Sequence, residues 1–178
     1  MQTRVPRVFS QATGSILAHR LDQPTSGLLV VGLHPAAHRA LRLQFEARTV
    51  LKTYEAVLVG IVEHDDGVIT LPFRLDVERR PHQIYDPLHG KVGVTRFEVL
   101  DRDPGAQRTR VRFFPETGRT HQLRTHAAHP LGLGCPIAGD ALYGDPTAAP
   151  RLLLHAATLS IAHPTTGERL AFVSPVPF

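Results

Sequence analysis

Alternating apolar and polar positions predict that much of this chain forms strands. Gly27 to Leu33 is a short run of branched apolar residues, which is typical of a buried strand. Val50 to Val59 and Val68 to Leu71 are further predicted strands. Val94 to Leu100 should pair with Thr109 to Phe114 across a turn rich in Asp, Pro and Gly. This pattern indicates a sheet built largely from hairpins.

Two more strands are predicted near the end of the chain, and two segments have helical spacing instead. Leu152 to Ile161 and Arg169 to Val173 are the strands, joined by a hairpin at 163–167. One helix has Pro35 in its first turn, and the other runs from a cap at Thr120 to about His129. We therefore predict an α+β fold with a mixed, largely antiparallel sheet and flanking helices, in one domain over residues 1–178.

The composition is that of a folded protein that is not exported. Apolar residues make up 42% of the 178 residues, which is ordinary for a globular domain. No apolar run is long enough to cross a bilayer, and Met1 to Ser10 lacks the apolar core of a signal peptide. The single cysteine, Cys135, cannot form an internal disulfide. We expect a cytoplasmic monomer that does not bind membranes.

The net charge is moderately positive, at +4 with a sequence pI of about 9.8. Arg79 and Arg80 lie in a long polar segment, Arg74 to Lys91, that is predicted to be an exposed loop or hairpin. Arginine recognises phosphate well because its planar guanidinium can make two parallel hydrogen bonds. The charge fits a nucleic-acid partner, and it equally fits an enzyme with a small anionic substrate.

Asp22 is the first candidate for chemistry. It lies in the segment HRLDQPTSGL, His19 to Leu28, in a polar turn just before the predicted buried strand. A carboxylate in a turn is most often a cap or a turn former. Here Arg20 lies two residues before it, and a nearby cation favours the charged form that a nucleophile needs.

Two further blocks hold candidate residues. Tyr54 lies in a predicted strand within KTYEA, Lys52 to Ala56, where an aromatic ring is ordinarily part of the core. Arg124 ends the segment GRTHQLR, Gly118 to Arg124, at the start of the second predicted helix, where a surface ion pair is the ordinary role of an arginine. Arg119 lies where the helix begins, which is a favourable place for a phosphate.

Taken together, these blocks resemble the RluA-type pseudouridine synthases. The resemblance runs from about His19 to the end of the chain and includes LLLHA at 152–156. HRLD and the HQLR-x-H ending favour the RluA type over the RsuA type, and the chain has no S4-like RNA-binding segment. The resemblance implies a cofactor-free enzyme with a central RNA-binding cleft, acting on uridines in ribosomal RNA, transfer RNA or both.

The resemblance also implies a role for each candidate. Asp22 would be the nucleophile, attacking a flipped-out uridine either at the sugar C1′ or at the base. Tyr54 would stack on the base and assist removal of the C5 proton. Arg124 would pair with Asp22 and keep it charged, while Arg20 would hold the nucleotide out of the stack. The remaining predicted substrate contacts are Arg119, His121, Gln122 and Leu123, with the loop around Arg79 and Arg80 gripping the RNA.

Three further expectations concern the start of the chain, the GDALYGD block and metal binding. Family members carry a K-P-x-G-like segment well before HRLD, whereas only 18 residues precede His19, so we expect the usual N-terminal strands to be missing. The block from Gly139 to Asp145, GDALYGD, has a counterpart in the family and is interpreted as structural. No metal is expected, because the 11 histidines form neither HExxH nor a cysteine-rich zinc pattern.

Two alternatives remain open at this stage. The chain could be an inactive RNA-binding remnant of the same fold, which would bind RNA in a salt-dependent way without turnover. It could also be an unrelated hydrolase that uses Asp22 on a small sugar or phosphate. Glycosidases normally need a second carboxylate, however, and none stands out beside Asp22 in the sequence.

Overall fold

The computed structural model describes residues 8–14 and 16–178, so the sequence-based expectations for residues 1–7 and 15 fall outside it. Within these residues, one sheet of eight strands carries two α-helices and a short 3-10 turn, in agreement with the predicted α+β class. The strands are β1 Ser26–Gly27, β2 Leu51–Val59, β3 Asp66–Leu75, β4 Gln83–Tyr85, β5 Lys91–Asp103, β6 Arg108–Pro115, β7 Leu154–Ala162 and β8 Arg169–Val173. The helices are α1 Pro35–Glu46 and α2 Gln122–Ala128, and the 3-10 turn is Pro146–Ala148.

The sheet is mixed but largely antiparallel. Its strand order is β1-β7-β2-β6-β5-β3-β4, and β8 also pairs with β7. Among the eight described strands, the short contact between β1 and β7 is parallel and the other pairings are antiparallel. The predicted hairpin between β7 and β8 and the predicted pairing of β5 with β6 are both confirmed.

Two hydrophobic clusters lie on the same face of the sheet. The larger packs Leu123 and Ala127 of α2 against Ala56 and Leu154, and the smaller packs Leu41 of α1 against Leu159. Ala56 is opposite Leu154 and Lys52 is opposite Leu159 in the β2–β7 register, so these side chains share a face. Tyr54 lies between these two pairs on β2. The part of this face between the two clusters, which includes Tyr54, is called the cleft below.

The first predicted helix is confirmed, with clear local causes. Pro35 occupies its first position, where its missing N–H is not needed. His34 precedes it as the cap, because its Nδ1 accepts a hydrogen bond from the Ala37 N–H at 3.3 Å. Ala37 and Leu41 are the buried residues of this helix.

The predicted strand Gly27 to Leu33 is wrong for most of its length. Only Gly27 continues a strand, together with Ser26, and Val31 makes an isolated bridge to Leu17. The backbone N–H of Val30 donates to the His19 ring rather than to a neighbouring strand, which interrupts any regular ladder. The apolar run instead packs Leu28 and Val30 against the smaller cluster.

Two boundaries also differ from the sequence-based predictions. The predicted Thr120 cap is wrong, because His121 precedes α2 in a left-handed conformation (φ 55°) without a capping side chain. The strand predicted at Val68 to Leu71 extends over the whole of β3. Of the two alternatives predicted for Arg74 to Lys91, the structure has the hairpin, because β4 pairs back onto β3.

Candidate active site

His19 fixes the segment that leads into Asp22. Its Nε2 accepts the Val30 N–H at 3.0 Å, and its ring stacks on Phe45 with a centroid separation of 4.3 Å. Burial, together with the positive charge of Lys52, lowers the pKa of His19 to about 4. The ring is therefore neutral at physiological pH, as an acceptor at Nε2 requires.

The chain then turns sharply at Asp22 and joins the sheet. The Thr25 N–H donates to the Asp22 carbonyl at 2.9 Å, and Ser26 and Gly27 pair with β7. Gly27 adopts a φ of +105°, and a Cβ there would lie 2.3 Å from the Ala156 carbonyl oxygen. Only glycine allows this approach, so the TSG part of the motif places Asp22 next to the sheet.

Asp22 and Arg124 face each other across the cleft. Arg124 Nη1 lies 4.0 Å from Asp22 Oδ2, and their side chains are 3% and 18% exposed. Burial disfavours the charged guanidinium, but Asp140 and then Asp22 outweigh it and raise the pKa of Arg124. The predicted pairing is therefore seen as a long ion pair rather than a direct hydrogen bond.

Asp140 is the residue that holds Arg124 in place. Its two carboxylate oxygens accept from Arg124 Nε at 2.8 Å and from Nη2 at 2.5 Å. Although burial opposes it, the hydrogen bonds from Arg124 and from the Leu142 backbone keep the pKa of Asp140 below its ordinary value. Gly139 (φ +74°) precedes it, and a Cβ there would lie 2.1 Å from the Arg151 carbonyl oxygen. The GDALYGD turn therefore belongs to the site, and not only to the scaffold.

Tyr54 borders the same cleft from β2. Burial, together with the negative charge of Asp22, raises the pKa of the Tyr54 phenol to about 12. The phenol therefore stays protonated at neutral pH. An aromatic face beside a carboxylate is suited to stacking on a planar base.

His121 and Tyr143 complete the described site. Tyr143 lies with its ring 5.2 Å from the Arg124 guanidinium, and its hydroxyl is 2.8 Å from His121 Nδ1. Burial lowers the pKa of His121, although the charge of Asp22 opposes this. The site thus combines the partly exposed carboxylate of Asp22, the buried guanidinium of Arg124, the aromatic rings of Tyr54 and Tyr143, and the neutral ring of His121.

The predicted contact of Gln122 with substrate is replaced by a structural role. Its Oε1 accepts from Thr117 Oγ1 at 2.7 Å and from the Arg119 N–H at 2.9 Å. Its Nε2 donates to the Val94 carbonyl at 3.0 Å and to Thr95 Oγ1 at 2.8 Å. With two bonds at the oxygen and two at the nitrogen, the amide has no remaining capacity for a ligand.

The other predicted contacts are divided between the core and the surface. Leu123 is buried in the larger cluster, on the core side of α2. Arg20 and Arg119 are exposed, and Arg119 Nε donates to the Val92 carbonyl at 3.1 Å. On the hairpin, Arg79 pairs with Asp76 at 3.0 Å and remains largely exposed.

The sequence reasoning missed His19, Asp140 and Tyr143 as parts of the site. The signal was present, because His19 opens the HRLD segment and GDALYGD keeps a buried acid and an aromatic at fixed spacing. Among the described residues, no three His, Cys, Asp or Glu side chains gather as a metal site would require. No helix in the described part of the chain is long and apolar enough to span a membrane.

Comparison with known proteins identifies the family. A family profile described as RNA pseudouridylate synthase matches residues 9–129. The chain is 49% identical over 158 residues to the dual-specificity RNA pseudouridine synthase RluA of Haemophilus influenzae, covering 87% of this chain and 70% of that protein. It is 42% identical over 182 residues to the protein of the same name from Escherichia coli K12, covering 100% of this chain and 80% of the relative.

Solved structures agree with this result. Human RNA pseudouridylate synthase domain containing 1 superposes with a TM-score of 0.82 at 33% identity, over 99% of this chain and 74% of the human one. Human RNA pseudouridylate synthase domain containing 4 superposes with a TM-score of 0.78 at 26% identity, over 99% of this chain and 79% of that one. The chain therefore belongs to the RNA pseudouridylate synthase family. Within it, the resemblance to the RluA type is confirmed, and the protein is a pseudouridine synthase.

Proposed function

We propose that this synthase acts on uridines of structured RNA, in ribosomal RNA, transfer RNA or both, with Asp22 as its nucleophile. The observation that carries the proposal is the partly exposed Asp22 carboxylate 4.0 Å from the buried Arg124 guanidinium. The relatives named dual-specificity RNA pseudouridine synthases support more than one RNA substrate. We further propose that the enzyme works as a monomer in the cytoplasm.

In this proposal the reaction needs no outside reactant. Asp22 attacks the flipped-out uridine at the sugar C1′ or at the base, and the bond between N1 and C1′ breaks. The uracil turns, C5 bonds to C1′, and the bond from Asp22 breaks to return the free carboxylate. The C5 proton leaves and N1 ends protonated. The product is an isomer of the substrate, so atoms and electrons balance without a cofactor. A cofactor-free site of this kind fits the residues around Asp22.

Arg124 and Tyr54 take different parts in this scheme. Arg124 orients the Asp22 carboxylate, because its fixed positive charge lies 4.0 Å away and attracts the anion. Tyr54 provides the stacking face for the extruded base. Its pKa of about 12 leaves only about 1 in 10⁵ molecules as phenolate at pH 7, which argues against Tyr54 as the base that removes the C5 proton. We therefore assign Tyr54 to stacking.

Exposed arginines would hold the RNA outside the cleft. Arg20 lies two residues before Asp22, and Arg80 lies on the hairpin between β3 and β4. Each phosphate contact that is removed should lower the slope of log binding constant against log salt by about 1. Arg20→Ala and Arg80→Ala should each weaken RNA binding in this way, and unchanged slopes would contradict their assignment.

The function is tested by release of tritium from C5-labelled uridine. Ribosomal and transfer RNA transcripts are compared with free uridine, and wild type is compared with Asp22→Ala. We expect release from at least one RNA, none from free uridine, and none from the variant. Release of free uracil instead of pseudouridine would favour the hydrolase, while salt-dependent RNA binding without release would favour the inactive RNA-binding protein.

A further inference from the structure

Tyr143 connects three parts of the molecule around the candidate site. Its ring lies against the guanidinium of Arg124 on α2, at 5.2 Å from the ring centroid. Its hydroxyl is 2.8 Å from Nδ1 of His121, which precedes the same helix. The backbone N–H of Gln83, the first residue of β4, donates to this hydroxyl at 2.8 Å. One side chain therefore contacts the cation, the histidine and the hairpin.

The hydrogen bond from Gln83 limits how Tyr143 and His121 can share their protons. A backbone N–H can only donate, so the phenol oxygen of Tyr143 is the acceptor for Gln83. The hydroxyl proton is then free to point to His121 Nδ1, which must be unprotonated to accept it. When the hydroxyl donates in this way, the proton of the neutral imidazole is on Nε2, which is the tautomer that the proposal below assigns. Burial raises the pKa of Tyr143 to about 12, so the hydroxyl keeps its proton for this bond.

We propose that Tyr143 is a positioning residue for the reaction, which supports Arg124 with its ring and fixes the Nε2–H tautomer of His121 with its hydroxyl. The same hydroxyl anchors the β3–β4 hairpin beside the cleft. The proposal rests on the proposed function, in which Arg124 pairs with the nucleophile Asp22, and on the prediction that His121 contacts the substrate. It adds a residue that acts through both of them without touching the reacting atoms.

Charged groups on every side of His121 make the hydroxyl bond important. Asp22 and Asp140 favour the imidazolium, whereas Arg124 and Arg20 disfavour it, and burial favours the neutral ring. From the hairpin, the ring of His82 packs edge-on against Tyr143 at 5.8 Å. A donated hydrogen bond at Nδ1 stabilises only the neutral form. Without this bond the neutral form is less stable, the charges of Asp22 and Asp140 have a larger effect, and the pKa of His121 should rise.

Two variants separate the ring of Tyr143 from its hydroxyl. Tyr143→Phe keeps the ring against Arg124 and loses the bonds to His121 and Gln83. Tyr143→Leu loses both functions. Tyr85→Phe is the matched control, because Tyr85 lies on β4 with its ring packed on Phe73 and is not part of the site.

The first readout is nitrogen-15 NMR of the histidine side chains in the RNA-free protein. The signals of His121 are assigned with His121→Gln. We expect the wild type to show an unprotonated Nδ1 and a protonated Nε2, and Tyr143→Phe to titrate at higher pH. The opposite tautomer in wild type, or an unchanged titration in Tyr143→Phe, would overturn the proposal. This result does not depend on activity, so it stands apart from failure of the proposed function.

The second readout is the kinetics of tritium release. Loss of the hydroxyl, with its hydrogen bonds to His121 and Gln83, should raise KM for RNA about fivefold in Tyr143→Phe, a difference of about 1 kcal/mol, with kcat little changed. Tyr143→Leu should in addition lower kcat at least about tenfold, because Arg124 loses its support. We therefore expect kcat to stay close to the wild-type value in Tyr143→Phe and to be clearly lower in Tyr143→Leu. Equal loss of kcat in both variants, in step with their melting temperatures, would show a merely structural role.

Discussion

Removal of the Asp140 charge is the most direct perturbation of the buried support of the site. In Asp140→Asn, the guanidinium of Arg124 loses the carboxylate charge and one of its two acceptors, at 2.8 and 2.5 Å, because the amide has a single acceptor oxygen. The Asp140 side chain is 0% exposed and that of Arg124 is 3% exposed, so water cannot replace the lost partner. The remaining carboxylate, Asp22, is 4.0 Å away and cannot form the same bonds.

The expected loss of stability is large. Removing one partner of a buried ion pair costs about 3–5 kcal/mol, because the other charge stays buried without compensation. With a urea m value of about 2 kcal/mol/M, the midpoint of unfolding should fall by about 2 M. Equilibrium urea unfolding, followed by circular dichroism, measures this shift directly.

An exposed ion pair provides the matched control. Asp65 pairs with Arg102 at 2.8 Å, but its side chain is 84% exposed. Asp65→Asn should therefore cost less than about 1 kcal/mol. In a second control, Asp140→Asn combined with Arg124→Met should be more stable than Asp140→Asn alone, because no buried charge is left unpaired.

The pH dependence of the effect has a definite sign. The folded-state pKa of Asp140 is lowered, so its stabilising contribution is present above the ordinary carboxyl pKa and is lost as the pH falls through the folded value. The difference between wild type and Asp140→Asn should shrink toward acid pH. A cost below about 1 kcal/mol at neutral pH, equal to that of the Asp65 control, would refute the buried-support argument.

Three further predictions concern separate parts of the molecule. Burial and the neighbouring His129 lower the pKa of His126 to about 4. Wild-type stability should therefore decrease as the pH falls from about 6.5 toward 4, because the unfolded chain takes up a proton that the folded protein does not. The melting temperature of His126→Leu should decrease less over the same range. Gly27→Ala should lower the free energy of unfolding, measured with urea, by at least about 2 kcal/mol, because its Cβ would lie 2.3 Å from a β7 carbonyl oxygen. A decrease below about 0.5 kcal/mol would contradict this prediction. Tyr54→Ala should raise KM for RNA at least about fivefold by loss of stacking, while Tyr54→Phe, which keeps the ring, should raise KM less. Steady-state tritium release measures both values, and an equal rise in KM for the two variants would argue against stacking.

Most of the sheet could be predicted from the sequence because its strands alternate in a regular way. β2, β6 and β8 match their predicted segments to within two residues. Gly27 to Leu33 could not, because the ring of His19 takes a backbone donor that a strand would use, and this contact joins positions 11 apart. A local apolar pattern carries no information about such a contact.

Candidate site residues could be predicted from the sequence only where each lies in a recognisable motif. Asp22, Tyr54 and Arg124 were predicted from three blocks, and the structure brings their side chains to one cleft. Gln122 was predicted as a contact because it lies in the same block, yet its amide is used by the β5 backbone and by Thr117. Asp140 lies 16 residues from Arg124, and only the folded chain shows that the two form a buried pair.

The central claim is that Asp22 performs the chemistry, and one measurement tests it most directly. Tritium release from C5-labelled RNA is followed under single-turnover conditions for wild type and for Asp22→Asn, which removes the charge and nearly preserves the shape. RNA affinity is measured on the same samples. We predict that Asp22→Asn binds RNA within about threefold of wild type, a difference of less than about 1 kcal/mol, and releases no tritium. An Asp22→Asn protein that still forms pseudouridine at a rate comparable to wild type would contradict the account.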